Sequence, residues 1–556
     1  MYRNLFLLLV LFCCAPLYKA QDGSRFVITF SDRNGSPYTV SNPSAFLSAR
    51  AINRRTQQSI SIKQNDLPVN PSYIDSVAKT GVRILNVSKW LNAIAIDTTG
   101  HPKALSAIQS WPFVASYKNV GREKGDSVNS AHARHNRNKF GTQGAIFSFS
   151  AANFGSSFNQ ATMIGDDCLQ NLGFRGEGMV IAILDGGFYM ADVLPAFDSL
   201  WINNQILGSR DFSNQSGNVF DNSTAHGMEV LSTMGGYLNG QLIGTAPKAN
   251  YWLLRSEVVL TENIIEEFNW ASAAEFADSV GADIISSSLG YSTFDNPAQN
   301  QTYAEMNGRT AMSTIAAVTA AEKGMLVVVA AGNDGGTAWQ HIGSPADADS
   351  ILTLGAVDQN GFYASFSSTG PSADGRIKPT IAAQGENSIV ASVSGGISGA
   401  SGTSFSTPIA AGTAACLWQA NSGRTNMQVI DAIVKSGTQY AKPDSLLGYG
   451  IPNMCVANML LSGISPVLFQ SDNIVLSYPN PFRNSFRLTF YSLTAQTLSI
   501  QLFDVSGRKI QEETEQVNAN SVNDFSMNGM EGLERGMYIL KIAGSSDRFF
   551  RKLIKD

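Results

Sequence analysis

Histidine is scarce in this chain of 556 residues. Only five occur, His101, His132, His135, His226 and His341, so chemistry that needs a base titrating near neutral pH has few carriers. Cysteine is as sparse, also with five. Two of them, Cys13 and Cys14, lie near the N-terminus. Cys168, Cys416 and Cys455 are spaced too widely for a metal-ligand pattern and cannot all pair, which leaves at most one disulfide among them. A basic excess is missing too. Thirty-nine Lys and Arg face 44 Asp and Glu, a net charge of −5, which argues against a nucleic-acid partner. No apolar run has the length of a membrane span. The run Leu5–Ala15 after Arg3 is too short for one and reads as a secretory signal.

What is present points to a large, soluble, multi-domain chain. Hydrophobic residues make up 44% and charged residues 15%, enough for several cores. The signal is placed at residues 1–20. An α+β unit follows over 21–120, with strands expected at Arg25–Phe30, Val82–Val87 and Ala93–Ile96 and a helix over Ser44–Arg55. Residues 121–153 are rich in Arg, Lys, Asn, Ser and His and read as an exposed linker. Over 154–461, continuous apolar runs such as Met179–Leu184, Tyr251–Leu254 and Met325–Ala330 alternate with helical segments, among them the amphipathic stretch Ile264–Val280. That texture predicts a parallel sheet covered by helices on both faces. After a connector over 462–473, residues 474–556 change to period-two alternation (Phe486, Leu488, Phe490; Leu498, Ile500, Leu502), which predicts a small antiparallel β-sandwich.

Three short motifs carry the chemistry. Asp185-Gly186-Gly187 follows an apolar run, His226-Gly227 opens a helical stretch, and Ser404 stands in Gly402-Thr403-Ser404-Phe405-Ser406-Thr407-Pro408. A serine hydroxyl is a poor nucleophile without a base in hydrogen-bond reach, and the base needs a carboxylate to orient it. With His101, His132 and His135 in the N-terminal unit and linker, and His341 in an ordinary loop sequence, His226 is the candidate base. Asn333 in Ala331-Gly332-Asn333-Asp334-Gly335 and the stretch Ser288-Leu289-Gly290 both follow strand-like runs, where functional residues of parallel sheets collect.

The order Asp, His, Ser, with these surrounding residues, resembles the subtilase family of subtilisin-like serine peptidases. The resemblance implies an α/β fold with a parallel sheet, a catalytic triad of Asp185, His226 and Ser404, an oxyanion donor in Asn333, and a substrate-binding edge at Ser288, Leu289 and Gly290. It also implies that the unit before the linker is an inhibitory propeptide, making the chain a zymogen. Tyr478-Pro479-Asn480-Pro481-Phe482, Gly507-Arg508, Leu533–Leu540 and the basic ending resemble a type IX secretion C-terminal sorting domain. A secreted or cell-surface endopeptidase is therefore expected, with protein or peptide substrates and the type IX machinery as partners. It is expected to be monomeric, with no transmembrane segment once mature and no cofactor needed for its chemistry. No EF-hand-like loop is present, and scattered calcium ligands leave no sequence signature.

Some positions depart from the family pattern. Gly186 stands where Ser or Thr is usual, Met228 where Thr follows His-Gly, and Thr380 and Gln384 where Asp and Pro are commoner. Gly186 and Met228 are the only support for a second reading, a surface binding or adhesion protein on a decayed peptidase fold. A Ser-Glu-Asp acid peptidase is disfavoured by His226 at the base position.

Overall fold

A computed structural model describes residues 24–121, 154–213, 217–462, 475–478, 480–492, 495–517, 521–544 and 548–556. The expected signal over 1–20, nearly all of the expected linker and nearly all of the connector lie outside the described residues.

The first described run, RFVITF, forms strand β1 (Arg25–Phe30) at the centre of an antiparallel sheet. Its neighbours are β2 (Arg83–Ser88), β3 (Ala93–Asp97) and β4 (Val114–Gly121), in the order β2-β3-β1-β4. Helices α1 (Ala49–Gln57), α2 (Pro71–Ala78) and α3 (Ala104–Ile108) complete this α+β unit. Because strand side chains alternate, Phe26, Ile28, Ile94 and Ile96 pack on Val77 and Ile108 of α2 and α3. Val27, Ala93 and Ala95 face the opposite way and join the core of the next unit.

That next unit carries a seven-stranded sheet, parallel throughout. Its strands are β5 (Val180–Asp185), β6 (Ile206–Asp211), β7 (Asn250–Arg255), β8 (Ile284–Ser287), β9 (Leu326–Ala330), β10 (Leu352–Val357) and β11 (Ile381–Gln384), in the order β11-β10-β9-β8-β5-β7-β6. Ile181 and Ile183 enter a core shared with helices α5 (His226–Gly235) and α8 (Thr403–Ala420). Val180, Ala182 and Leu184 enter the other core, with α6 (Ile265–Val280) and α7 (Met312–Glu322). Burial on both faces explains why these strands read as unbroken apolar runs rather than alternating ones.

Helix α6 departs from the expectation. Its pattern is amphipathic, yet its polar side is buried too, because the N-terminal unit covers it. Glu275 accepts the backbone N–H groups of Lys89 (2.7 Å) and Trp90 (3.1 Å). Asp278 meets Arg54, Arg55 (2.8 Å) and Lys89 (3.3 Å). Burial pushes the Glu275 carboxyl up to about 7 although Lys89 opposes it. At Asp278 burial also pushes upward, but Lys89, Arg54 and Arg55 together hold it far below the usual carboxylate range.

Helix α4 (Asp166–Asn171), near the start of this unit, is bonded through Cys168 to Cys455 of α9 (Met454–Leu461), and Cys416 is buried and free. The last strands form two antiparallel sheets. One is β14-β15-β18, from Val475–Tyr478, Phe486–Ser492 and Ser521–Met527; the other is β17-β16-β19-β20, from Lys509–Val517, Gln496–Asp504, Gly536–Ala543 and Arg548–Lys555. In this numbering β12 (Ser388–Ala391) and β13 (Ile397–Ala400) form a separate hairpin before α8. Phe486 and Leu488 of the smaller C-terminal sheet and Leu498, Ile500, Leu502 and Leu540 of the larger one share a core, as a sandwich requires.

Candidate active site

The carboxyl ends of β5, β8 and β9 and the first turns of α5 and α8 surround one open cleft of about 200 Å³. Asp185, His226, Ser288, Leu289, Gly290, Asn333 and Ser404, all singled out from the sequence, line it.

Asp185 is the last residue of β5 and is fully buried. Its Oδ1 accepts the Gly186 N–H (2.7 Å), and its two oxygens lie 2.9 and 3.0 Å from His226 Nδ1. His226 opens α5 and is held there by its neighbour. The Gly227 N–H donates to the Gly187 carbonyl (2.9 Å), and a Cβ at position 227 would lie 2.5 Å from that oxygen. Only glycine allows so close an approach. The His226 ring lies 6.0 Å from that of Phe405, the residue after Ser404.

Burial alone would lower the His226 pKa, but the charge and hydrogen bond of Asp185, with the charges of Glu229 and Glu257, raise it above the ordinary histidine value. Glu229, one turn along α5, is itself pushed up to about 6 by burial, against the pull of His226 and with Asp185 adding.

Ser404 is the second residue of α8, 4% exposed, just past Gly402. Asn333 Oδ1 accepts both the Thr403 N–H (2.9 Å) and the Thr403 hydroxyl (3.0 Å). With its oxygen so engaged, the carboxamide has its NH2 group left for a ligand in the cleft. Ser288 Oγ donates to the Ser404 carbonyl at 2.8 Å, joining the end of β8 to the first turn of α8.

The unusual residues fit their surroundings. A Cβ at Gly186 would lie 3.0 Å from Val259 and 3.4 Å from Thr224, so these side chains fill the space a serine would take. Met228 is fully buried in the apolar core beside α8. Thr380 accepts the Thr353 N–H (3.1 Å), and Gln384 accepts from Asn159 Nδ2 (2.7 Å). His341 stands apart from the cleft lining, its ring 4.1 Å from that of Tyr303. Among the described residues one carboxylate trio, Glu257, Glu262 and Glu266, has oxygens within 4.8 Å of one another and could hold a cation. Nothing in the motif reading flagged these three, nor Glu229.

The aspartate–histidine pair at the carboxyl edge of the parallel sheet thus shares its cleft with a serine at a helix start. Residues 176–450 match the subtilase family, residues 25–138 the peptidase S8 propeptide domain of Bacteroidota, and residues 477–556 the secretion system C-terminal sorting domain. Subtilisin BL of Lederbergia lenta is 30% identical over 291 residues, covering 51% of this chain and 91% of the relative. Subtilisin E of Bacillus subtilis (strain 168) is 29% identical over 293 residues, covering 52% and 68%. The crystal structure of MycP1 from Mycobacterium smegmatis aligns with 22% identity and a TM-score of 0.44, covering 58% of this chain and 88% of that one. The chain belongs to the subtilase family: it is a subtilisin-like serine endopeptidase with an S8 propeptide, and its type IX sorting domain marks it for secretion and the cell surface. Among the described residues no helix is long and apolar enough to cross a membrane.

Proposed function

We propose that this peptidase cleaves protein substrates through an acyl-enzyme on Ser404, with Asp185, His226 and Ser404 as its triad. Ser404 Oγ attacks the scissile carbonyl carbon while His226 Nε2 takes its proton. Asp185 stays ionised and holds the imidazole by Nδ1, which fixes the tautomer and stabilises the imidazolium. The oxyanion that forms receives hydrogen bonds from the Asn333 NH2 and the Ser404 backbone N–H, the latter at the positive end of α8. His226 then gives its proton to the leaving amine. A water molecule, deprotonated by the same histidine, releases the acyl group and restores Ser404. Ser288, Leu289 and Gly290 pair with the substrate backbone as an added strand. No cofactor enters these steps.

The observation that carries this reading is the Asp185–His226 hydrogen bond at 2.9 Å in a cleft that also holds Ser404. We assign residues 21–120 to a propeptide released by cutting within 121–153. The test is labelling of matured wild-type and Ser404→Ala protein with a fluorescent phosphonate, followed by mass spectrometry. A Ser404-dependent adduct is expected, and the intact mass locates the processing sites. A folded, processed wild-type protein that takes no label would refute the reading.

A further inference from the structure

We propose that Arg255 is a positioning residue for the base: its guanidinium clamps the turn after Asp185 to the loop that leads into His226, and so sets the alignment of the two. The proposal rests on the peptidase reading above. Arg255 ends β7 and is fully buried. Strand β7 lies parallel to β5 with Arg255 level with Asp185, and the Ser256 N–H donates to the Asp185 carbonyl at 3.1 Å. The two strand ends therefore reach the site side by side.

The Arg255 side chain then bonds to two further segments. Its Nε donates to the Gly186 carbonyl at 3.1 Å, on the turn after Asp185. Nη1 and Nη2 donate to Asp221 Oδ2 (3.1 Å) and Oδ1 (2.7 Å), and Nη2 also donates to Ser223 Oγ (3.0 Å). Nη1 is 3.5 Å from Asp211 Oδ2. Asp221 and Ser223 belong to the loop before α5, which has neither helix nor strand over 217–225. Within it Asp221 Oδ1 accepts the Ser223 N–H (3.1 Å), and Thr224 Oγ1 accepts the His226 N–H (3.1 Å). One guanidinium thus fixes Asp221 and Ser223, and a bonded turn passes that position on to the base.

This grip needs a planar fork. A guanidinium presents N–H groups in fixed directions, which suit a carboxylate on one side and a carbonyl on another. A lysine ammonium keeps the charge but cannot span both. The space around the fork is tight: a Cβ at Gly187 would lie 3.1 Å from Arg255 Nη2 and 3.0 Å from Ser223 Oγ. The Gly187 carbonyl in turn accepts the Gly227 N–H at 2.9 Å, directly after the base. A shift of the loop is therefore felt at His226, and displacements of about 1 Å between reacting groups can cost about 10²-fold in rate.

The experiment uses full-chain protein allowed to mature, with active sites counted by the Ser404 phosphonate adduct, so that each rate is per working site. Values of kcat and KM for one neutral peptide are measured across pH in the wild type, Arg255→Lys and Asp221→Asn. Arg255→Lys should lower kcat by about 10- to 100-fold and leave KM within about twofold. Its acid limb should move to lower pH, because a misaligned Asp185 supports the imidazolium less. Asp185, Glu229 and Glu257, the charges that raise the His226 pKa, are all retained in that variant, and lysine keeps the cation. The Asp221 side chain is 27% exposed, so Asp221→Asn is the milder change. It should lower kcat by about three- to tenfold, and it decides the question if Arg255→Lys does not fold. An unchanged kcat per labelled site in the folded variants, whatever their stability, would leave Arg255 a structural role only and overturn the proposal. So would a fall in kcat with the acid limb unmoved, or a rise in KM at constant kcat, which would place the effect in substrate binding. No adduct and no turnover in the wild type would remove the peptidase reading and this inference with it.

Discussion

The hydroxyl of Ser288 donates a 2.8 Å hydrogen bond to the main-chain carbonyl of Ser404. In a regular helix that carbonyl would receive the N–H of the residue four positions on, but position 408 is proline and has none. Ser288 supplies the missing donor and ties the end of β8 to the first turn of α8. Ser288→Ala should cost about 1 to 2 kcal/mol of stability in chemical denaturation. It should also lower kcat/KM while leaving the Ser404 phosphonate adduct detectable. Unchanged stability and rate would mean that the carbonyl finds another partner.

Asp185→Asn keeps the shape of the orienting group and removes its charge, so the imidazole loses the anion that fixes its tautomer. A fall of about 10⁴ in kcat is expected with KM little altered. Steady-state kinetics on one neutral peptide checks this, and a loss below tenfold would assign the orienting role elsewhere.

In the proposed mechanism Asn333 does two things, and two variants separate them. Asn333→Ala removes both the acceptor for Thr403 and the NH2 donor. Asn333→Asp keeps the acceptor and removes the donor. Both should lose at least about 10² to 10³ in kcat. Only the alanine variant should also lower the melting temperature, because only it strips the Thr403 N–H of its partner.

Glu229 and His226 give a pH prediction. Asp185, Glu229 and Glu257 together hold the His226 pKa above its ordinary value, against burial. A base must be neutral to take a proton, so activity is lost as pH falls through that raised pKa. Glu229→Gln removes one anion that favours the imidazolium, so the pKa falls and the acid limb of the kcat/KM profile moves to lower pH. In the wild type, Glu229 titrates at about 6 and withdraws its support below that pH. A limb that stays in place would show that Glu229 acts on structure rather than on the base.

The contact between the N-terminal unit and α6 rests on charges of unequal weight. Asp278 is buried among Arg54, Arg55 and Lys89, and Asp278→Asn would leave three cations around a neutral amide. A loss of about 3 to 5 kcal/mol is expected in unfolding of the full chain. The Asp278 carboxyl is depressed, so its contribution is in place above the usual carboxylate range and fades only as pH falls well below it. Arg50, paired with Asp283, has a half-exposed side chain, and Arg50→Ala should cost no more than about 1 kcal/mol.

The parallel sheet could be read from the sequence because its strands are buried on both faces, and unbroken runs such as VIAIL leave no other comfortable place for their side chains. Asp185 and His226 could be read because each stands where a strand ends or a helix starts beside a glycine. The Asn333–Thr403 contact joins residues 70 positions apart and left no local trace. Nor did the burial of the polar side of α6, since an amphipathic pattern does not say whether water or another unit covers that side. The Ser288 contact did leave a sign, a proline four residues after the serine. Glu257 and Glu262 lie in a loop whose spacing follows no motif, and only folding shows that they line the cleft.

The bond between Cys168 and Cys455, 287 positions apart, closes the chain between them into a ring. Asp185, His226, Asn333 and Ser404 all lie within it, while residues 122–153 and 463–474, which lead to the neighbouring units, lie outside. Cutting either tail frees a neighbour and leaves the ring whole. One cut inside the ring still leaves all four of these residues on a single covalent molecule. A peptidase that meets other copies of itself after export thus carries its working parts where a stray nick does not scatter them.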